Sequence, residues 1–221
     1  GNILYTPRPS EFISIQHGYI IAVDGIVVYC GESIPPAYAD CEVTDYGDNL
    51  IIPGFVDTHA HAPQYCNRGL GMDKELLPWL ETYTFPEEAK FSDLDYARLV
   101  YGAFVQDLWR NGTTRSILFG TIHKESTLVL MELLQKAGLS AYVGKVNMDR
   151  NSPDFLIEET NQSLADTKDW LEASASFGPL VKPIITPRFV PSCTSELMSG
   201  LGKLAEEYNV PIQSHLSENH G

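Results

Sequence analysis

Two histidines two residues apart, His59 and His61, follow the apolar run Leu50-Ile51-Ile52-Pro53-Gly54-Phe55-Val56-Asp57-Thr58. On a β-strand, residues i and i+2 face the same way, so an H-x-H at a strand's end aims two imidazoles at one point in space. Imidazole ligates zinc and iron, and a catalytic metal takes about three protein ligands with one position left open for water. The pattern therefore asks for a third histidine. His215 answers it, because it ends another short apolar run, Val210-Pro211-Ile212-Gln213-Ser214, that breaks into polar residues.

Ligands 154 residues apart meet only if the chain sets their strand ends side by side. Ahead of the motif, residues 11–16, 18–23 and 26–30 read as a small antiparallel β unit. Asp24-Gly25 supplies the positive φ that a type I′ hairpin turn needs. Residues 33–48, with Pro35-Pro36 and many acidic side chains, read as a linker. From residue 50 onward, apolar runs at 50–58, 113–119, 141–147, 181–187 and 210–214 suit strands buried on both faces. Helices fill the gaps. The first carries an apolar stripe of Ala97, Val100, Tyr101, Phe104, Val105 and Leu108, opened by Ser92-x-x-Asp95 and closed before Gly112. Others are predicted over 126–137, 159–174 and 194–208, the last with Leu197, Leu201, Leu204 and Tyr208 on one face.

Alternating strands and helices predict an α/β fold with a parallel sheet, either doubly wound or closed into a barrel. No Gly-rich phosphate loop follows the first strand, which disfavours the doubly wound form. A barrel demands that functional groups collect at the carboxyl ends of successive strands. The five ends carry His59 and His61, Thr121 and His123, Asn147 and Asp149, Arg188, and His215 and Glu218. Domain boundaries are expected at 1–49 for the β portion and 50–221 for the barrel portion.

Of the 221 residues 43% are hydrophobic and 20% charged, an ordinary globular composition with ample material for a core. The net charge of −14 and a pI near 4.7 give a field that repels phosphate backbones and anionic lipid surfaces, so neither nucleic acid nor membrane is expected as a partner. Four cysteines without C-x-x-C spacing suggest reduced thiols and a cytoplasmic protein. No charged-then-apolar leader and no apolar run near 18 residues is present, although the sequence starts at Gly1-Asn2 rather than at methionine.

Pro53-Gly-Phe-Val-Asp-Thr-His-Ala-His61 resembles the first-strand motif of the amidohydrolase superfamily, metal-dependent hydrolases on a (β/α)8 TIM-type barrel with a small β-sandwich built from both chain ends. Within that superfamily the match narrows to the guanine deaminase family. His59-Ala-His-Ala-Pro-Gln64, Asn111-Gly-Thr-Thr114, Lys145-Val-Asn-Met-Asp149, Thr186-Pro-Arg-Phe189 and Gln213-Ser-His-Leu-Ser-Glu-Asn219 carry it. Dinuclear members bridge two metals with a carboxylated lysine at the end of strand four, whereas Lys182 lies at the beginning of that strand. One zinc per subunit is therefore expected, with iron the less favoured metal. His215-x-x-Glu218 matches the arrangement of the superfamily's base deaminases and implies Glu218 as proton shuttle.

The chemistry implied is attack of metal-activated hydroxide on C2 of guanine, with Glu218 carrying protons to the ring and then to the leaving amine, giving xanthine and ammonia. The resemblance assigns Arg188, Gln64 and Phe189 to substrate binding. Arg188 would donate to O6, Gln64 would meet a ring edge, and Phe189 would offer a stacking face or a wall. His123 and Asp149 stand outside this set as candidates for shaping the pocket, His17 reads as a surface residue, and His220 fits no motif.

Residues 63–92, with Trp79 and Tyr83, read as a long loop insertion able to form a wall or lid over the site. The H-x-E with P-C-x-x-C signature of the other zinc deaminase fold is missing. Family members are commonly homodimers. A full barrel needs eight strands and about five are present here, so the resemblance implies further βα units beyond Gly221, including the fourth metal ligand, an aspartate. The 221 residues alone are expected to be inactive. Two other readings stay open: a related amidohydrolase deaminase or chlorohydrolase acting on another aminated heterocycle, and a non-catalytic amidohydrolase-like scaffold.

Overall fold

The computed structural model describes residues 1–218. Asn219, which closes the last motif above, His220 and Gly221 lie outside the described residues. The chain divides into two compact units, Gly1–Gly54 and Phe55–Gly221.

In the first unit, β1 (Asn2–Arg8) pairs antiparallel with β2 (Glu11–Ile15) and parallel with the two-residue β5 (Leu50–Ile51). A separate hairpin joins β3 (Tyr19–Val23) to β4 (Ile26–Gly31). Its turn residues have φ of +51° at Asp24 and +78° at Gly25, as the Asp-Gly pair predicts. Two features differ from the sequence reading. Strand β1 escapes it because Pro7 and Pro9 mask the pattern, and residues 11–15 pair with β1 rather than extending the hairpin sheet.

The apolar run 50–58 is likewise not one strand. Pro53-Gly54 splits it: Leu50–Ile51 stays with β1, and a new strand, β6 (Phe55–His61), opens the second unit. Both ligand candidates of the H-x-H motif therefore lie within β6 itself. Proline's missing N–H is the physical reason, since it cannot continue a hydrogen-bonded ladder.

In the second unit β6, β7 (Thr113–Phe119), β8 (Ser140–Gly144) and β10 (Val181–Pro183) run parallel, each beside its predecessor, and the short pair β9 (Val146–Asn147) and β11 (Thr186–Pro187) continues the last two. Parallel bridges from Ile185 to Ile212 and from Phe189 to His215 add a fifth segment. Sequential parallel neighbours with helical crossovers form an arc of a (β/α)8 barrel. At Gly144 the fourth strand passes so close that an added Cβ would lie 1.8 Å from Thr186 Oγ1 and 2.8 Å from the Ile184 carbonyl oxygen. Only glycine fits there.

Helices α1 (Leu76–Trp79) and α2 (Phe85–Ala89) belong to the insertion after β6, and α3 (Leu94–Arg110), α4 (Lys124–Ala137), α5 (Thr160–Ser174) and α6 (Ser195–Tyr208) are the crossovers. The buried face of α3 is the six-residue stripe read from the sequence. Its cap is not Ser92, however. Asp93 accepts from the backbone N–H groups of Asp95 and Tyr96, while Ser92 Oγ donates to the Ala89 carbonyl. The insertion is largely helical where a loop is expected; Pro63, Pro78 and Pro86 cut it into short turns, which weakens any periodic signal.

Where β8 passes into β9, Lys145 is fully buried. Its ammonium donates to Glu158 Oε1 at 2.5 Å and to the Val146 carbonyl at 3.1 Å, and Glu158 Oε2 accepts from Met148 N and Ser163 Oγ. Every group of this ion pair has partners, so removing one member strands a charge. Lys145→Met is expected to lower unfolding free energy by about 3–5 kcal/mol in a urea titration, the cost of breaking a buried pair. A change below about 1 kcal/mol would mean that water reaches Glu158.

Candidate metal centre

Strand β6 places the first two imidazoles. Its register against β7 steps from Asp57 opposite Ser116 to Ala60 opposite Leu118, so one extra residue is accommodated and the strand bulges at Thr58-His59. Asp57 Oδ1 accepts the His59 backbone N–H at 3.0 Å and holds this kink. The third imidazole enters beside β11: His215 N donates to the Arg188 carbonyl oxygen, and the same oxygen lies 2.7 Å from His215 Nδ1.

The three rings converge. Their centroids are 5.3 Å apart for His59 and His61, 4.9 Å for His59 and His215, and 4.9 Å for His61 and His215. One ligand nitrogen from each lies within 4.8 Å of the others. Nε2 of His61 and Nε2 of His215 face each other at 2.9 Å. Beneath them sits Phe119, fully buried at the end of β7, with the His61 ring stacked on it at 4.4 Å and the other two rings at 4.5 and 5.1 Å.

Electrostatics favour the neutral imidazole that a metal requires. Burial pushes the His61 pKa well below its ordinary value, and positive charge from Arg188, His215 and His59 adds to the effect. Burial also lowers His215. A carbonyl oxygen can only accept, so His215 Nδ1 carries the proton and Nε2 presents its lone pair to the shared point. Nδ1 of His61 is buried without a hydrogen-bond partner among the described residues. Three imidazole nitrogens converging from β6 and from the segment of His215 suit a zinc ion, and a cluster of this kind is what zinc-dependent amidohydrolases use. Neither lysine near the strand ends joins it: Lys182 is exposed, and Lys145 is bonded to Glu158.

A cavity of about 100 Å³ opens beside the imidazoles, lined by His59, His61, Gln64, Trp79, Leu80, Arg188, Phe189, His215 and Glu218. All seven residues singled out in the sequence thus border one space. Ser217, with φ of +56°, turns the chain after His215 at the point from which Glu218 reaches that space. Gln64 comes from the helical turn Ala62–Asn67, and Phe189 is half-buried.

Arg188 is 3% exposed and gripped by a residue that sequence reasoning passes over. Its Nη1 and Nη2 donate to Glu88 Oε2 at 2.6 Å and Glu88 Oε1 at 3.2 Å, and Gln64 Nε2 donates to Glu88 Oε1 at 3.1 Å. The Phe85 ring lies 5.2 Å from the guanidinium carbon. Glu88 is one of two adjacent acidic residues in the insertion, and nothing in the sequence marks which of them turns inward. Trp79, from the insertion expected to wall the site, lines the cavity, whereas nothing in the sequence marks Phe119 as part of the site. Asp149 is not among the residues that line the cavity; it accepts from Thr160 Oγ1 and from the N–H and hydroxyl of Thr194 at the start of α6. His123 precedes α4, with its Nε2 buried and unpartnered among the described residues.

The sequence model of the amidohydrolase family matches residues 50–221, more than three quarters of the chain. The chain belongs to the amidohydrolase family. Among amidohydrolases of known structure, a guanine deaminase from C. acetobutylicum with guanine bound in its active site superposes with a TM-score of 0.97 at 52% identity, covering all of this chain and 52% of that one. Guanine deaminase of Dictyostelium discoideum is 54% identical over 178 residues, 80% of this chain and 40% of that protein. Atrazine chlorohydrolase from Arthrobacter aurescens, at 15% identity and a TM-score of 0.76, shares the fold. The chain thus spans about half the length of such amidohydrolases.

Proposed function

We propose that the polypeptide carrying these residues as its amino-terminal half hydrolyses guanine to xanthine and ammonia. The observation that carries the reading is the convergence of His59, His61 and His215 beside a cavity that Arg188, Gln64 and Glu218 also line. Similarity to guanine deaminases, over the whole of the chain for the one from C. acetobutylicum and over 80% of it for the one from Dictyostelium discoideum, supports guanine as the substrate. His59, His61 and His215 would hold a zinc ion, and the chemistry it would supply is a water nucleophile available at neutral pH.

The chain's own residues then divide the work. Glu218 would take one proton from the water nucleophile and pass it to a ring nitrogen as C2 becomes tetrahedral, then take the remaining proton from the new C2 hydroxyl and give it to the amine, so that the C–N bond breaks, ammonia leaves and the C2 oxygen becomes the carbonyl of xanthine. Arg188 donates to O6, Gln64 meets the adjoining ring edge, and Phe189 and Trp79 wall the ring against water. A pocket that hydrogen-bonds its substrate rejects an analogue with the wrong edge, because buried groups are then left unpaired. The reading also takes the working protein as a cytoplasmic homodimer with no nucleic-acid partner. Four free cysteines suit a reducing compartment, and among the described residues no helix is long and apolar enough to cross a membrane.

The test is ammonia release by the full-length, zinc-loaded protein from guanine, adenine, cytosine and a chlorinated triazine. Guanine alone is expected to turn over efficiently. Preference for the triazine or for another base would replace guanine in this scheme, and stoichiometric zinc with no turnover of any of the four would contradict it.

A further inference from the structure

Glu88 does not border the cavity, yet two of the proposed substrate contacts end on its carboxylate. It is 1% exposed and accepts from Arg188 through both oxygens and from Gln64 through Oε1. An ionised carboxylate only accepts hydrogen bonds. Arg188 neutralises its charge in a bidentate pair, the geometry that fixes a guanidinium plane. The Gln64 amide has two ends of opposite polarity, and a purely accepting partner holds it by the NH2 end, which leaves Oε1 as the acceptor beside the Arg188 donors.

We propose that Glu88 is a positioning residue that sets the donor–acceptor order of the pocket. With Glu88 in place, the cavity presents guanidinium N–H groups next to an amide oxygen. That order matches an edge carrying a ring carbonyl beside a ring N–H, as in 6-oxopurines, and opposes an edge carrying an exocyclic amine beside a bare ring nitrogen, as in 6-aminopurines. The role rests on the proposed reading of Arg188 and Gln64 as substrate contacts. Glu88 acts through these two side chains and moves no proton of the reaction.

Glu88→Gln keeps the shape and removes the obligation to accept, so Gln64 can turn over and Arg188 loses its bidentate anchor. The test is a mutant cycle in the full-length, zinc-loaded protein with E88Q, R188M and the double variant, each assayed on guanine. E88Q is expected to lower kcat/KM roughly 100-fold, the cost of an ångström-scale misplacement, chiefly through KM. Zinc content and the pH dependence of kcat are expected to stay as in the wild type. In the R188M background the same change is expected to cost no more than about tenfold, because one of the two side chains through which Glu88 acts is already gone and only Gln64 remains. The ratio of guanine to adenine binding, measured as competitive inhibition constants, is expected to narrow in E88Q.

Losses that multiply in the double variant, or a displaced pH profile in E88Q, would overturn the proposal. If the wild type leaves guanine untouched, the functional reading fails instead, and the cycle is run on whichever base of the panel turns over. Should R188M fail to fold, the inhibition ratio of E88Q alone decides: an unchanged ratio contradicts the role.

Discussion

Glu218→Gln in the full-length protein is expected to lower guanine turnover by about 10²–10⁴-fold, the range over which a positioned acid–base group acts. The substitution keeps size and hydrogen-bonding reach but cannot carry a proton between nucleophile, ring nitrogen and leaving amine. Glu218 is exposed at the rim of the cavity and forms no ion pair among the described residues, so the change should leave the unfolding midpoint within the small range typical of surface positions. Zinc content should also hold, because the residue stands outside the cluster of three imidazoles. Steady-state kinetics with metal analysis on the same preparation measure both. Turnover within about tenfold of the wild type would assign the proton to another group.

His61→Ala carries the other large effect. His61 faces His215 across 2.9 Å and stacks on Phe119, so its loss removes one of three ligand nitrogens from the middle of the cluster. Zinc is expected to leave on dialysis and guanine turnover to fall below detection, since unbound water, a far weaker acid than metal-bound water, is then the source of nucleophile. Retention of one zinc with measurable turnover would show that His59 and His215 suffice.

How far the sequence discloses these features depends on whether local chemistry decides them. The H-x-H of β6 is legible because two-residue periodicity and a preceding apolar run act over a few residues, and the stripe on α3 is legible because six apolar positions repeat at helical spacing. Strand β1 is hidden by Pro7 within it and Pro9 just after it, and the split at Pro53-Gly54 is hidden inside a run whose hydrophobicity looks continuous. Arg188 announces itself at a strand end. Glu88, 100 residues away in sequence, is paired with it only by the tertiary fold, and no periodicity encodes that meeting. Phe119 reads simply as the apolar last residue of a strand, although it supports all three imidazoles. The bulge at Thr58-His59 is equally silent in sequence, since it arises from the register between two strands.

Diffraction from crystals of the full-length protein at the zinc absorption edge tests the centre itself. One anomalous peak is expected, about 2.0–2.1 Å from a ring nitrogen of each of His59, His61 and His215, as zinc–imidazole bonds require. A fully active crystal whose metal lies elsewhere, or that holds no metal between these three rings, would contradict the account.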